Sequence, residues 1–159
     1  MPVDHEHFMR LAIDEAARAG AEGNSAVGSV IVRDNAVVAT GRNLVTSTND
    51  PTAHAETVAL RKAGAALGRP DLSGCTLYTS FQPCPMCCGA LMVSGISTLV
   101  MGARPEPSAN RYGNYWPEDL INTAGWGGRI EVVTGILTGE CLEVRREWET
   151  RNLGGRSVP

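Results

Sequence analysis

Two short fragments concentrate the residue types able to do chemistry: His54-Ala55-Glu56 and Pro83-Cys84-Pro85-Met86-Cys87. Each falls where the sequence pattern predicts the start of a helix. Cysteines three apart on a first helical turn share a face, so Cys84 and Cys87 point their sulfurs the same way. The dipole and free N–H groups of that turn favour the thiolate form. With one imidazole from His54 the set offers three ligands to zinc, and three protein ligands leave a fourth tetrahedral position open. Water in such a position loses a proton at about pH 7. Glu56, two residues beyond His54, is close enough to take that proton and pass it to a ring nitrogen and then to a departing amine. Two other readings stand beside this one. Cys-x-x-Cys also serves as a thioredoxin-like redox pair. Cys88 is the nearest candidate for a fourth ligand that would close a structural zinc site, although it follows Cys87 directly and projects to another helix face.

The elements that must position these groups read as alternating helices and short strands. Asp4 is placed to cap a helix running to about Ala19, with Gly20 and Gly23 as stop signals. The β-branched runs Val27–Val32 and Val37–Thr40, separated by Asp34-Asn35, predict a hairpin with a tight turn. A polar loop over 43–52 leads to a helix over Ala53–Leu67, with Thr52 as its cap and Gly68 and Pro70 ending it. Strands are expected at Thr76–Thr79, Ser97–Met101 and Ile130–Ile136. A helix opens near Cys84 and runs to about Val93, and a last one covers Gly139–Asn152. Residues 103–128 read as irregular and rich in Pro, Gly, Asn and aromatics. The pattern predicts an α/β layered fold with antiparallel pairing at the hairpin edge.

Composition narrows the function classes. A chain of 159 residues, 43% hydrophobic and 19% charged, predicts a single domain over residues 1–153 with a loose tail over 154–159. Fourteen Lys and Arg against seventeen Asp and Glu give a net charge of −3, which argues against the overall nucleic-acid grip of a basic protein. Five cysteines suit a reducing compartment rather than a disulfide framework. No apolar run approaches the ~18 residues of a membrane span, and the acidic start lacks the cationic and apolar stretches of a signal peptide. A cytoplasmic protein with no membrane partner is expected.

On the His54-Ala55-Glu56 and Pro83-Cys84-Pro85-Met86-Cys87 fragments, and over most of its length, the chain resembles the zinc-dependent cytidine/guanine/tRNA-adenosine deaminase superfamily. The resemblance implies a three-layer α/β/α cytidine deaminase-like fold with a five-stranded mixed sheet, commonly in a dimer. It implies one zinc ion per chain on His54, Cys84 and Cys87, with Glu56 as proton shuttle. It also implies that Asn43 hydrogen-bonds the substrate. Ala55, Val27, Asn114, Tyr115 and Trp116 complete the candidate substrate contacts.

Two branches of the family compete. Asn49 to Glu56 is similar to both bacterial guanine deaminases and tRNA adenosine deaminases. Leu77-Tyr78-Thr79-Ser80 with the cysteine fragment resembles the former, whereas Arg129 to Val132, Thr134 to Leu137 and Glu140-Cys141 resemble the latter. The last helix balances Arg145, Arg146 and Arg151 against Glu140, Glu143, Glu147 and Glu149. That balance is poor for gripping phosphates. The family's Pro-Phe is Ala26-Val27 here, and its Glu before Pro-Cys is Gln82, an amide that both donates and accepts. The expected substrate is therefore a small amino-azine such as guanine, isoguanine, cytosine or ammeline, with tRNA adenosine as the alternative and a non-catalytic zinc module as a third reading. Tyr112, Tyr115, Trp116 and Trp126 are expected to wall the ring or to pack a core or dimer contact. Trp148 is expected to pack on the sheet, Cys75, Cys88 and Cys141 to fill apolar space, and His5 and His7 to be solvated.

Overall fold

The computed structural model describes residues 2–153; the expected tail over 154–159 lies outside the described residues. Its frame is a hairpin of β1 (Gly28–Arg33) and β2 (Ala36–Arg42), turned at Asp34 and Asn35 with φ of 51° and 60°. Two successive left-handed residues make the turn whose twist matches its strands, and Asp and Asn tolerate that region. On its other side β1 pairs antiparallel with β3 (Thr76–Phe81). Next, β3 pairs parallel with β4 (Thr98–Ala103), and β4 parallel with β5 (Glu131–Val133). The result is a five-stranded mixed sheet in the order β2-β1-β3-β4-β5.

Successive strand residues face opposite sides. Ile31, Leu77 and Leu99 pack toward α3 (Ala55–Leu67) and α4 (Pro85–Val93), while Val30, Tyr78 and Val100 pack toward α1 (His5–Ala21) and α6 (Thr138–Leu153). The sheet therefore lies between two helical layers, as a cytidine deaminase-like fold requires. Glycine sets the approach of the helices. A methyl group on Gly41 would collide with the Ala55 carbonyl and the Ala59 amide of α3, and one on Gly28 with Ala12 and Ala16 of α1. Gly41 thereby lets β2 hold the N-terminus of α3, where His54 and Glu56 sit.

Several boundaries differ from expectation for local reasons. The fifth strand stops at Val133, because Gly135 and Leu137 take positive φ and end the extended run. Helix α3 begins at Ala55 with His54 at its N-cap. Thr52 instead bonds Asp50 in the turn before it, through its N–H at 2.8 Å and its hydroxyl at 2.7 Å. The polar loop contains one helical turn, α2 (Val45–Thr48). The irregular stretch contains α5 (Pro117–Thr123), opened by proline with Glu118 and Asp119 in its first turn. Those are helix-start signals that were readable in the sequence. His5 is not solvated: its Nδ1 shares a 2.9 Å hydrogen bond with the hydroxyl of Tyr78, a fully buried residue beneath α1.

Candidate active site

The two chemistry-bearing fragments meet at the N-termini of α3 and α4. Cys84 is the N-cap of α4, directly beyond the parallel strand β3, with Pro85 supplying the preset φ of the first turn. Its sulfur accepts the Cys87 backbone N–H at 3.4 Å and lies 3.5 Å from His54 Nδ1. One ligand atom from each of His54, Cys84 and Cys87 falls within 4.8 Å of the others. A tetrahedral zinc ion with bonds of about 2.0–2.3 Å would set its ligand atoms about 3.5 Å apart. The 3.5 Å between His54 Nδ1 and the Cys84 sulfur matches that edge, and one imidazole with two thiols is a zinc donor set. Cys88 takes no part, since its thiol is buried and turned toward the Pro117 carbonyl at 3.8 Å. Among the described residues the site is thus a set of three ligands, not a closed set of four.

Electrostatics distinguish the two sulfurs. Cys87, whose thiol and N–H both face the Cys84 sulfur, holds that thiol well below its ordinary value, and His54 adds to the effect. The same contact, with burial, pushes the Cys87 thiol up. Glu56 is 3% exposed, and burial raises its carboxyl above the usual range. The Thr79 hydroxyl on β3 opposes this rise, lying 2.8 Å from Glu56 Oε1 and 2.8 Å from the Phe81 carbonyl. A hydroxyl carries one hydrogen. It therefore donates to Glu56 when the carboxylate is ionised. When Glu56 is protonated, the carboxyl can donate to Thr79, which turns to Phe81. Thr79 supports either state; in the sequence it falls in the Leu77-Tyr78-Thr79-Ser80 stretch, which gives it no role at Glu56.

Above these groups opens a cavity of about 930 Å³ lined by His54, Glu56 and Cys84. Val27, Asn43, Ala55 and Tyr115 also line it. The Asn43 Oδ1 accepts the Val45 N–H at 3.0 Å, so its amide NH₂ remains as a donor. Tyr115 donates to the Pro83 carbonyl at 2.8 Å and meets Tyr112 edge-on at 6.2 Å between ring centres. It ties the segment after β4 to the loop that carries Cys84. Asn114 and Trp116 lie outside the cavity lining. Asn114 is exposed in a turn, and Trp116 stacks on the Arg104 guanidinium, 5.1 Å from its ring centre. Trp126 packs against the core beside α4 and carries Arg129 over its face. Gln82, which the sequence marked as an amide in place of the family's Glu, lines the cavity, and so do Arg111, Arg145 and Trp148, which it did not mark as contacts. Trp148 is 5% exposed and, with Arg145, reaches the cavity from α6, a placement set by tertiary packing.

Known proteins match this arrangement. The family model for the cytidine and deoxycytidylate deaminase zinc-binding region matches residues 2–103. Guanine deaminase of Bacillus subtilis is 50% identical over 92 residues, 56% of this chain and 58% of that protein. A tRNA-specific adenosine deaminase of Buchnera aphidicola is 43% identical over 138 residues, covering 87% of this chain and 89% of its own. Among solved structures, guanine deaminase from Nitrosomonas europaea superposes with a TM-score of 0.81 at 28% identity, over 94% of this chain and 87% of that one. The match to the Bacillus guanine deaminase thus spans little more than half of that relative. With the model covering most of the chain and the three zinc-type ligands gathered beside Glu56, the chain belongs to the cytidine and deoxycytidylate deaminase zinc-binding family.

Proposed function

We propose that the protein hydrolyses the exocyclic amino group of a free nucleobase or related amino-azine ring, such as guanine, isoguanine, cytosine or ammeline, and releases ammonia. The observation that carries this reading is the buried Glu56 beside a three-ligand metal set at the base of a walled cavity. Zinc on His54, Cys84 and Cys87 would supply the Lewis acidity that makes water nucleophilic near neutral pH. Glu56 takes a proton from the attacking water and gives it to the ring nitrogen beside the amino-bearing carbon. It then carries a proton to the departing amine, so that water is consumed and ammonia leaves. Asn43 donates to an acceptor on the ring, and Tyr112 and Tyr115 provide flat apolar wall. The proposal includes a cytoplasmic homodimer, which light scattering would check.

The tRNA-adenosine reading has its own support in the Buchnera relative, which aligns along most of both chains. Against it stand the pairings of three arginines. Arg145 lies over the Phe81 ring at 4.0 Å and pairs with Glu149, Arg10 pairs with Glu140, and Arg42 pairs with Glu15 and Glu22. Ammonia release from zinc-loaded protein, across purine, pyrimidine and triazine free bases and their nucleosides, tests the first reading. Inosine formation in a transcribed anticodon arm tests the second. Release from at least one free base is expected; activity confined to the RNA would overturn the small-ring assignment.

A further inference from the structure

Gln82 and Arg104 stand directly beyond the ends of the parallel strands β3 and β4, the edge where α/β sheets hold their ligands. The Gln82 N–H bonds the Ala103 carbonyl at 2.8 Å, which sets its backbone. Gln82 is 8% exposed and lines the cavity. Arg104 donates from Nε to Gln82 Oε1 at 2.8 Å. A guanidinium has donors and no acceptor, so chemistry alone decides which end of the amide faces it. Arg104 is itself held on two other sides. Its terminal nitrogen reaches both Glu118 oxygens at 2.9 Å, and its guanidinium lies over the Trp116 ring. A flipped Gln82 would set NH₂ against guanidinium, donor against donor. The amide nitrogen is consequently left without an acceptor among the described residues, and it is not sealed inside the protein. Gln82 is among the residues around the cavity, and no described residue competes with a ligand there for its NH₂. Asn43 is committed in the same sense, because its oxygen holds the Val45 N–H.

We infer that Gln82, oriented by Arg104 and Glu118, is a specificity-determining donor, and that the substrate is an amino-azine with an oxo group at the edge facing it rather than a second amino group. The inference rests on the small-ring reading above and narrows its substrate class. A ring carbonyl accepts from the fixed NH₂, whereas an amino group in the same place meets donor with donor and leaves both unpaired. Neither the metal set nor Glu56 is involved in this choice. Arg104, Glu118 and Trp116 act through Gln82 and are positioning residues.

The test uses zinc-loaded full-length protein and three ring pairs that differ by one oxo-for-amino exchange: guanine with 2,6-diaminopurine, cytosine with 2,4-diaminopyrimidine, and ammeline with melamine. Within the pair that is turned over, kcat/KM should favour the oxo ring by about 10- to 100-fold, the span expected when a buried donor loses its acceptor. Gln82→Glu keeps a partner for Arg104 but offers only acceptor oxygen to the ring, so the ratio should reverse. Gln82→Leu and Arg104→Met should bring it toward one, and Arg104→Lys, which retains a donor to Gln82 Oε1, should restore it. A purely structural role for the cluster would lower both rates together and leave the ratio in place. Equal use of both rings by the unmodified protein, or a ratio indifferent to Gln82→Glu in variants that retain zinc, overturns the inference while the small-ring reading stands. Absence of ammonia from every free ring overturns that reading itself.

Discussion

The roles assigned to Glu56 and Cys87 separate in a single pair of variants. Glu56→Gln keeps the shape of the side chain and all three metal ligands but cannot take a proton. Zinc content should stay near one per chain while kcat falls by about 10²–10⁴, the usual worth of a positioned general acid–base. Cys87→Ala should lose metal and turnover together, as elemental analysis would show. Thr79→Val removes a donor that favours ionised Glu56. With burial then less opposed, the carboxyl should titrate at higher pH. Since Glu56 must be ionised to accept the water proton, the acid limb of the kcat/KM profile should move to higher pH; a fixed limb would mean that Thr79 does not act on Glu56. Residue-level chemistry was legible in the sequence where it is local. Cys84 and Cys87 share one helical turn, and His54 and Glu56 lie two residues apart, so spacing brought each fragment forward and the family resemblance joined them into one site. Thr79 and Gln82 stand out in the sequence only for their likeness to or departure from relatives; their pairing with Glu56 and Arg104 was not legible, because those partners come from other elements.

Among the elements, the close contact of β2 with α3 holds the helix end that carries His54. Gly41→Ala would push the first turn of α3 away from the sheet and carry His54 with it. Overpacking of this kind costs about 1–3 kcal/mol. In a domain of this size each kcal/mol lowers Tm by roughly 2–4 °C. Zinc affinity should fall as well. Gly68→Ala, at the left-handed C-cap of the same helix, should also lower Tm, because φ there is 65°. It should leave zinc binding alone, since that end lies away from the ligands. If both variants lose zinc equally, the Gly41 contact is not what places His54. The helices and strands around this contact were readable from the β-branched runs, the Asp34-Asn35 turn and the helix stops. The course of residues 103–128 was less so. Its Pro117 start was visible, but the stacking of Trp116 on Arg104 depends on where β4 ends relative to β3, which no local pattern encodes. Trp116 and Asn114, expected at the substrate, were displaced for that reason.

At the scale of the whole molecule, the proposed small-ring reading accords with the net charge of −3 and with the ion pairs that occupy Arg42, Arg104 and Arg145. A protein making six to ten phosphate contacts loses about 10³–10⁵ in affinity between 50 and 200 mM salt. Turnover of a neutral ring here should change by less than about twofold across that range, as initial rates at each salt concentration would reveal. The larger claim is that one buried carboxylate beside a three-ligand zinc set replaces a ring amino group by oxygen. Its most direct test is ammonia release, with product identified by mass, from zinc-loaded protein and its Glu56→Gln variant on the oxo-amino rings. Ammonia matched mole for mole by the oxo product from the unmodified protein, and a loss of at least about a hundredfold in the variant at unchanged zinc content, is the predicted result. Comparable rates from the two proteins, or no ammonia from any ring at full zinc occupancy, would contradict it.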